Sequence, residues 1–282
     1  MWNDQLWSGL CTQDQMDDPE AKKFCDKYLK EELRYHRKQW EYLYVLQQLH
    51  VAGLLKSGIK GLGFGVGAER LVPAFAKIGI DLVVTDLSAK DAEGKGWIDT
   101  GQHAASLEVF DQYVPDLCTA AQLKKHVKFQ EADMNDIPKD LLKEEFDFAW
   151  SCCSLEHLGS LKHGMDFIHN TMGCLKPKGL SIHTTEYNLS SETETLAIGP
   201  TCIYRSLDIL RLKNDVELSG HYLYPISFDP GDKELDQYFD APPFVGNDEG
   251  RHLKLMIGQI KATSVGLVVV KDKLTSTGLL AK

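Results

Sequence analysis

The chain has 282 residues, enough for two domains or one large one at ~150 residues per domain. Hydrophobic residues make up 43% and charged residues 26%, which excludes a disordered, collagen-like or membrane-embedded chain. Lysine and arginine total 31 against 41 acidic residues, a net charge of −10, so neither nucleic acid nor an anionic membrane is an expected partner. The apolar run Val265–Val270 is far shorter than the ~20 residues that span a bilayer, and the opening residues lack the pattern of a secretory signal. Seven cysteines, an odd number without a CxxC pair, read as reduced thiols of a cytoplasmic protein without structural zinc.

In chain order, Asp18 and Pro19 form a helix start, and Phe24, Leu33, Trp40, Leu43, Leu46 and Leu49 follow at helical spacing until Gly53. This predicts one long amphipathic helix or a pair, forming an N-terminal extension over residues 1–56 that serves either as a cover or as a homodimer face. From residue 57 to 282 a single catalytic domain is expected. Strands are predicted at Ile59–Phe64, Ile80–Asp86, Val127–Ala132, Phe146–Ser151 and Leu180–Thr185, with helices at Gly67–Ile78, Leu141–Glu145 and Leu161–Leu175. Such alternation predicts a parallel sheet covered on both faces. His221–Phe228 and Thr263–Lys271 read as an antiparallel pair at one edge, because no crossover helix separates them.

The segment Gly63-Phe64-Gly65-Val66-Gly67 follows a strand and opens a helix. Glycines there let the backbone approach a ligand and point amides at it. The spacing fits both GxGxG and, through Ala68, the dinucleotide pattern GxGxxA; no Lys-Ser/Thr follows, so a P-loop is rejected. Asp86, with Leu87 after it, ends the next strand, where a carboxylate can hold ribose hydroxyls. Asp133 and Met134 follow the third strand, and "SCCSLEHLG" follows the fourth.

With these four segments the chain resembles the class I S-adenosylmethionine-dependent methyltransferases over roughly residues 57–190. The resemblance implies a Rossmann-like α/β fold of seven strands, mostly parallel with an antiparallel last strand. It implies S-adenosyl-L-methionine as cofactor and S-adenosyl-L-homocysteine as product. Matched by position, Gly63, Gly65 and Gly67 would hold the methionine part, Asp86 the ribose and Asp133 with Met134 the adenine, with Ser151 and Cys152 beside the cofactor. "LKPKGL" resembles the family's LKPGG turn, with Lys178 in place of the first glycine. The family's usual acid before the glycines is replaced by Gly61, so the methionine ammonium needs a loop carbonyl or a side chain of the N-terminal helix. Phe64 and Trp40 are candidate contacts for the sulfonium.

A hydroxyl acceptor also needs a base. His157, with Glu156 beside it after strand four, is the first choice of base; His183 in strand five and Glu186 just past its end are the others, all at the expected ligand edge. Some quinone-pathway O-methyltransferases carry a metal-binding ExxEH motif; here Cys153 stands in for its first acid, so a divalent metal is not favoured. His183, Glu186 and His252 form an alternative ligand set. His183 shares a face with Ser181 and Thr185 and reads equally as a buried histidine. Candidate acceptor contacts are Trp97, His103, Tyr187, Asn188, Arg205 and His252, with residues 186–262 as the specificity region and Arg205 either binding an anion or pairing with Asp208.

The reading is methyl transfer to a small-molecule acceptor, favouring a sugar or secondary-metabolite hydroxyl. Two rivals are an NAD(P)-dependent oxidoreductase, which the GxGxxA spacing and Asp86 also fit, and a non-catalytic member of the methyltransferase fold.

Overall fold

The structure is a computed structural model that describes residues 4–93, 103–248 and 250–272. The N-terminal part runs β1 (Ser8–Leu10), α1 (Gln13–Asp17), α2 (Pro19–Phe24), a π-helical turn (Cys25–Leu29), β2 (Tyr35–His36) and α3 (Arg37–Val51). The central part follows as β3 (Lys60–Phe64), α4 (Leu71–Ile78), β4 (Asp81–Asp86), α5 (Ala89–Glu93), α6 (Ala120–His126), β5 (Val127–Glu131), β6 (Phe146–Cys152), α7 (Leu161–Thr171) and β7 (Leu175–Asn188). The rest is α8 (Ser206–Leu218), β8 (Tyr222–Leu223), β9 (Ile226–Ser227), α9 (Glu234–Gln237), α10 (Val245–Asp248), β10 (Arg251–His252), β11 (Lys254–Ile257) and β12 (Ile260–Val270).

The N-terminal apolar pattern resolves into separate helices. Asp18 caps α2 by accepting from the Glu20 amide, with Pro19 in the first turn, as its sequence predicts. The chain then breaks at Lys30, whose φ of 53° is left-handed. It restarts where His36 Nδ1 accepts from the Lys38 amide and caps α3. Trp40, Leu43, Leu46 and Leu49 are all fully buried, so the face seen in the periodicity is the one that packs.

Among the described residues ten strands join one sheet, in the order β5-β4-β3-β6-β7-β12-β1-β9, with β8 and β11 also paired to β12. Neighbours from β5 to β7 are parallel, and β12 runs antiparallel to β7. This is the expected Rossmann-like arrangement with more strands than seven. The segment 221–228 forms two short strands, β8 paired with β12 and β9 with β1; the Tyr224 amide still bonds the Val268 carbonyl, and the Pro225 carbonyl accepts from the Ser8 amide. β1 adds a strand antiparallel to β12 from a segment whose sequence shows no period.

Local corrections follow. The helix expected from Gly67 starts at Leu71, since the glycine loop keeps the intervening residues in turns. Residues 141–145 form turns and bends instead of a helix. The "KPKG" segment lies inside β7, with Lys178 at φ 65°, the conformation a glycine adopts freely. Side chains of β12 alternate between two cores: Val268 and Val270 join the one containing α3 and α4, while Val265, Leu267 and Val269 join the one beneath α7 and α8. Both faces are therefore covered, leaving the ends of the parallel strands as the place for a site.

Candidate active site

A cavity of about 660 Å³ lies at the C-terminal ends of the parallel strands. The glycine loop forms one wall. Gly65 and Gly67 have φ of 57° and 49°, and a Cβ on Gly63 would stand 2.6 Å from Trp150 Cζ2. Ser154 Oγ donates to the Gly65 carbonyl at 3.1 Å, tying the loop to the end of β6. At Gly63 and Gly65 only a residue without a side chain fits, and the Val66 and Gly67 amides tie the loop to the Thr85 carbonyl and to Asp86.

Asp86 lines the same cavity and is buried. Its Oδ2 accepts from the Gly67 and Ala104 amides at 3.1 and 3.0 Å, and its Oδ1 from the Leu87 amide at 2.9 Å. Burial pushes its carboxyl above the usual range, against the pull of these amides. Leu87, Asp133, Met134 and Cys152 also line the cavity, as their positions predict. Phe64 instead packs edge-on against Phe167 with centroids 5.0 Å apart, and Trp40 Nε1 donates to Gln15 Oε1 at 2.6 Å in the core. Neither reaches the cavity wall. Ser151 faces the core and is bonded to His183, so it is not a cofactor contact.

Opposite the loop, α3 delivers Arg37, Lys38 and Tyr42, which the sequence reading did not single out. Arg37 Nη2 lies 2.6 Å from Glu186 Oε1, and its Nη1 lies 3.2 Å from Glu41 Oε1. Glu41 is fully buried and also takes Lys38 Nζ at 2.9 Å, Ser264 Oγ at 2.6 Å and the Cys153 thiol at 2.8 Å. Lys38 and Arg37 hold its carboxyl down at about 2 against burial. Glu186 has only a share of the guanidinium and faces Glu156 and Glu41, so burial raises it to about 7. Its Oε2 has no hydrogen-bond partner. Burial also pushes the Cys152 and Cys153 thiols well up, which keeps them protonated.

Glu156, His157 and Glu186 all line the cavity. Glu156 Oε2 accepts from Thr185 Oγ1 at 2.9 Å, and His157 Nδ1 lies 2.8 Å from the Pro200 carbonyl. His183 does not join them. It is fully buried, with its ring nitrogens 2.8 Å from Ser151 Oγ and 2.5 Å from Ser181 Oγ, and burial lowers it to about 3. A neutral, doubly bonded ring away from the cavity cannot take an acceptor proton.

Of the expected acceptor contacts, only His252 lines the cavity among the described residues. Tyr187 stacks on Phe228, Asn188 Oδ1 accepts from the Ser190 and Ser191 amides, and Arg205 pairs with Asp208 at 2.8 Å at the start of α8. His103 Nε2 is spent on the Leu87 carbonyl at 2.8 Å. Trp97 lies outside the described residues. His252 Nδ1 is 2.6 Å from Oδ2 of Asp240, a carboxylate 1% exposed. His36 stacks on the His252 ring at 4.7 Å, and burial lowers it to about 4, so it is neutral at pH 7. β2 and β10 pair through these two histidines, which explains how residues so distant in the chain meet.

Cys153, Glu156 and Glu186 bring ligand atoms within 4.8 Å of one another. The Arg37 guanidinium already lies 3.4 Å from Cys153 Sγ and 2.6 Å from Glu186 Oε1, so a cation of the chain itself serves this cluster. The set of His183, Glu186 and His252 is not assembled, because His183 points into the core.

Residues 62–183 match a family profile described as a methyltransferase domain. Over that segment the chain is similar to methyltransferase domains. The match spans the glycine loop, Asp86, Asp133 and the end of β6, the segments that surround the cavity. A solved structure from Galdieria sulphuraria, provisionally named a sarcosine dimethylglycine methyltransferase, is 14% identical with a TM-score of 0.52, covering 90% of this chain and 99% of that one. The [4+2]-cyclase SpnF aligns over 81% of this chain and 83% of its own at 13% identity and a TM-score of 0.47. A protein from Bacillus halodurans provisionally named a methyltransferase aligns over 81% of this chain and 99% of its own at 12% identity and a TM-score of 0.48. No curated protein sequence matches the chain. At these identities the likeness is one of fold. Among the described residues no helix is long and apolar enough to cross a membrane.

Proposed function

We propose that the chain is an S-adenosylmethionine-dependent methyltransferase acting on a hydroxyl group of a small-molecule acceptor, with His252 as the general base. The observation that carries the reading is the Asp240–His252 pair, buried on its carboxylate side and open to the cavity on its imidazole side. S-adenosyl-L-methionine, held by the glycine loop, Asp86 and Asp133, supplies an electrophilic methyl group when bound. An alcohol is a weak nucleophile at neutral pH and gains from a positioned base. With Nδ1–H donated to Asp240, the lone pair of His252 resides on Nε2, and the buried carboxylate stabilises the imidazolium once the acceptor proton arrives. Neutral His36 stacked on the ring adds no opposing charge.

The glycine cradle and Asp86 are shared with nicotinamide-binding folds, so the cofactor is tested first. Calorimetric titration with S-adenosyl-L-homocysteine, NAD and NADP should give micromolar binding of the first alone. Transfer of labelled methyl from S-adenosyl-L-methionine to a panel of phenols, glycosides and amines then tests the acceptor class. Label in the hydroxyl compounds, lost in His252→Asn, is the expected result. Label confined to amines overturns the hydroxyl reading, and binding of a nicotinamide cofactor overturns the assignment of the cofactor.

A further inference from the structure

The family position for an acid before the glycine loop is Gly61, and packing forbids a side chain there. A Cβ on Gly61 would stand 2.5 Å from Phe148 Cζ and 3.0 Å from Leu82 Cδ2. The next residue on that face, Gly63, is closed in the same way by Trp150. These two aromatic rings fill the volume beneath the loop, and the second presents a polar atom. Trp150 Nε1 donates to Glu69 Oε1 at 2.7 Å. Glu69 stands two residues after Gly67, lines the cavity beside Gly65 and Gly67, and is only 4% exposed.

Glu69 is a carboxylate looking for a cation. Among the described residues no lysine, arginine or histidine nitrogen is paired with it at salt-bridge distance; Lys38, the nearest positive influence on it, gives its own ion pair to Glu41. Lys38 Nζ also donates to the Cys152 carbonyl at 3.2 Å, and the Cys152 side chain in turn bonds Glu69, so a carboxylate and an ammonium flank the same residue on one wall. Burial keeps Glu69 at about 7, the behaviour of an acid whose counter-ion arrives with a ligand. An α-amino acid end, with one ammonium and one carboxylate, is the chemistry that this pair of opposite charges fits.

We infer that Glu69 holds the α-ammonium of the cofactor's amino-acid end, with Lys38 facing its carboxylate, in place of the acid that Gly61 cannot carry. This rests on the methyltransferase reading above. The Trp150–Glu69 bond is then a positioning contact: the indole fixes one carboxylate oxygen and leaves the other for the ligand.

The test compares two ligands that differ only in this end. S-adenosyl-L-homocysteine carries the amino acid, whereas 5′-methylthioadenosine keeps the adenine, ribose and thioether without it. Calorimetry on Glu69→Gln, which keeps an acceptor oxygen for Trp150, should show affinity for S-adenosyl-L-homocysteine weakened by about 10- to 100-fold, the loss expected for one charge-assisted contact. Affinity for 5′-methylthioadenosine should stay at the wild-type value. Lys38→Met should likewise weaken only the first ligand. Equal losses for both ligands in Glu69→Gln would assign the residue a structural role and overturn the inference, as would no loss for either. A wild-type protein that binds neither ligand would overturn the methyltransferase reading itself, an outcome distinct from the other two.

Discussion

Arg37 on the N-terminal helix and Glu186 on the central strand β7 meet at 2.6 Å, so the segment before the parallel strands forms a wall of the cavity. The same guanidinium reaches Glu41, which keeps Lys38 when it is lost, whereas the buried Glu186 is left without its cation. Breaking such a buried pair from one side costs about 3–5 kcal/mol. Arg37→Met is therefore expected to lower the urea midpoint strongly, and Arg37→Met/Glu186→Gln to recover part of the loss. A single variant as stable as the wild type would show that the pair does not hold α3 in place.

The pH dependence of stability follows from acids shifted in opposite directions. Glu69 is raised from 4.5 to about 7, so its folded form prefers the proton. Stability tied to that proton is complete below about pH 4.5 and is lost as the pH rises through about 7, a change of order 3 kcal/mol. Glu186 is raised for the same reason and adds to the same window. Glu41, held at about 2, works in reverse: its contribution is present above 4.5 and falls away as the pH drops toward 2. Urea midpoints for the ligand-free protein should fall between pH 5 and 8, and Glu69→Gln should flatten part of that fall. A flat wild-type profile across this range would contradict the placement of both acids.

The cofactor side of this arrangement was legible in the sequence because it is local. A glycine loop between a strand and a helix, and acids at or just past the ends of the next two strands, are set by period and spacing alone, and Asp86, Asp133 and Met134 do line the cavity. The acceptor side was not, because it is assembled from elements far apart. Arg37 and Lys38 carry no local signal of a site; only tertiary packing turns that helix end toward β6 and β7. Alternation put His183 on a face without saying which face was dry, and Ser151, from a neighbouring strand, completed its bonding. Asp240 and His252 lie in a Pro/Gly-rich stretch with no period, and only the β2–β10 pairing brings His252 beside His36.

Lys178 occupies a left-handed backbone position, φ 65°, on the exposed turn within β7. A residue with a Cβ pays about 1–2 kcal/mol there, partly offset by the lower unfolded-state entropy of a non-glycine residue. Lys178→Gly should stabilise the protein by about 1 kcal/mol and raise the melting temperature by about 2–4 °C. The amide that donates to the Lys271 carbonyl at 3.2 Å is kept in the variant. A lower melting temperature would mean that contacts of the lysine side chain outweigh the backbone strain.

The Asp240–His252 pair can be separated from cofactor binding by a substitution that preserves shape. Asp240 Oδ2 lies 2.6 Å from His252 Nδ1, and Asp240 Oδ1 accepts from the Gly246 amide at 3.2 Å. In Asp240→Asn the side-chain oxygen can keep the Gly246 amide, which turns the side-chain NH2 toward His252. The imidazole then receives a hydrogen bond at Nδ1 and must place its proton on Nε2, the atom that should accept from the acceptor hydroxyl. Turnover of the best hydroxyl acceptor in the panel is expected to fall by about 10²–10⁴-fold, the usual worth of a general base. Affinity for S-adenosyl-L-homocysteine should not change, because neither residue touches the glycine loop or Asp86. His252→Ala should fall as far, and the double variant no further, since both act through one nitrogen. Wild-type turnover in either single variant would remove His252 as the base and return the role to Glu186 or His157, two further titratable groups on the same cavity.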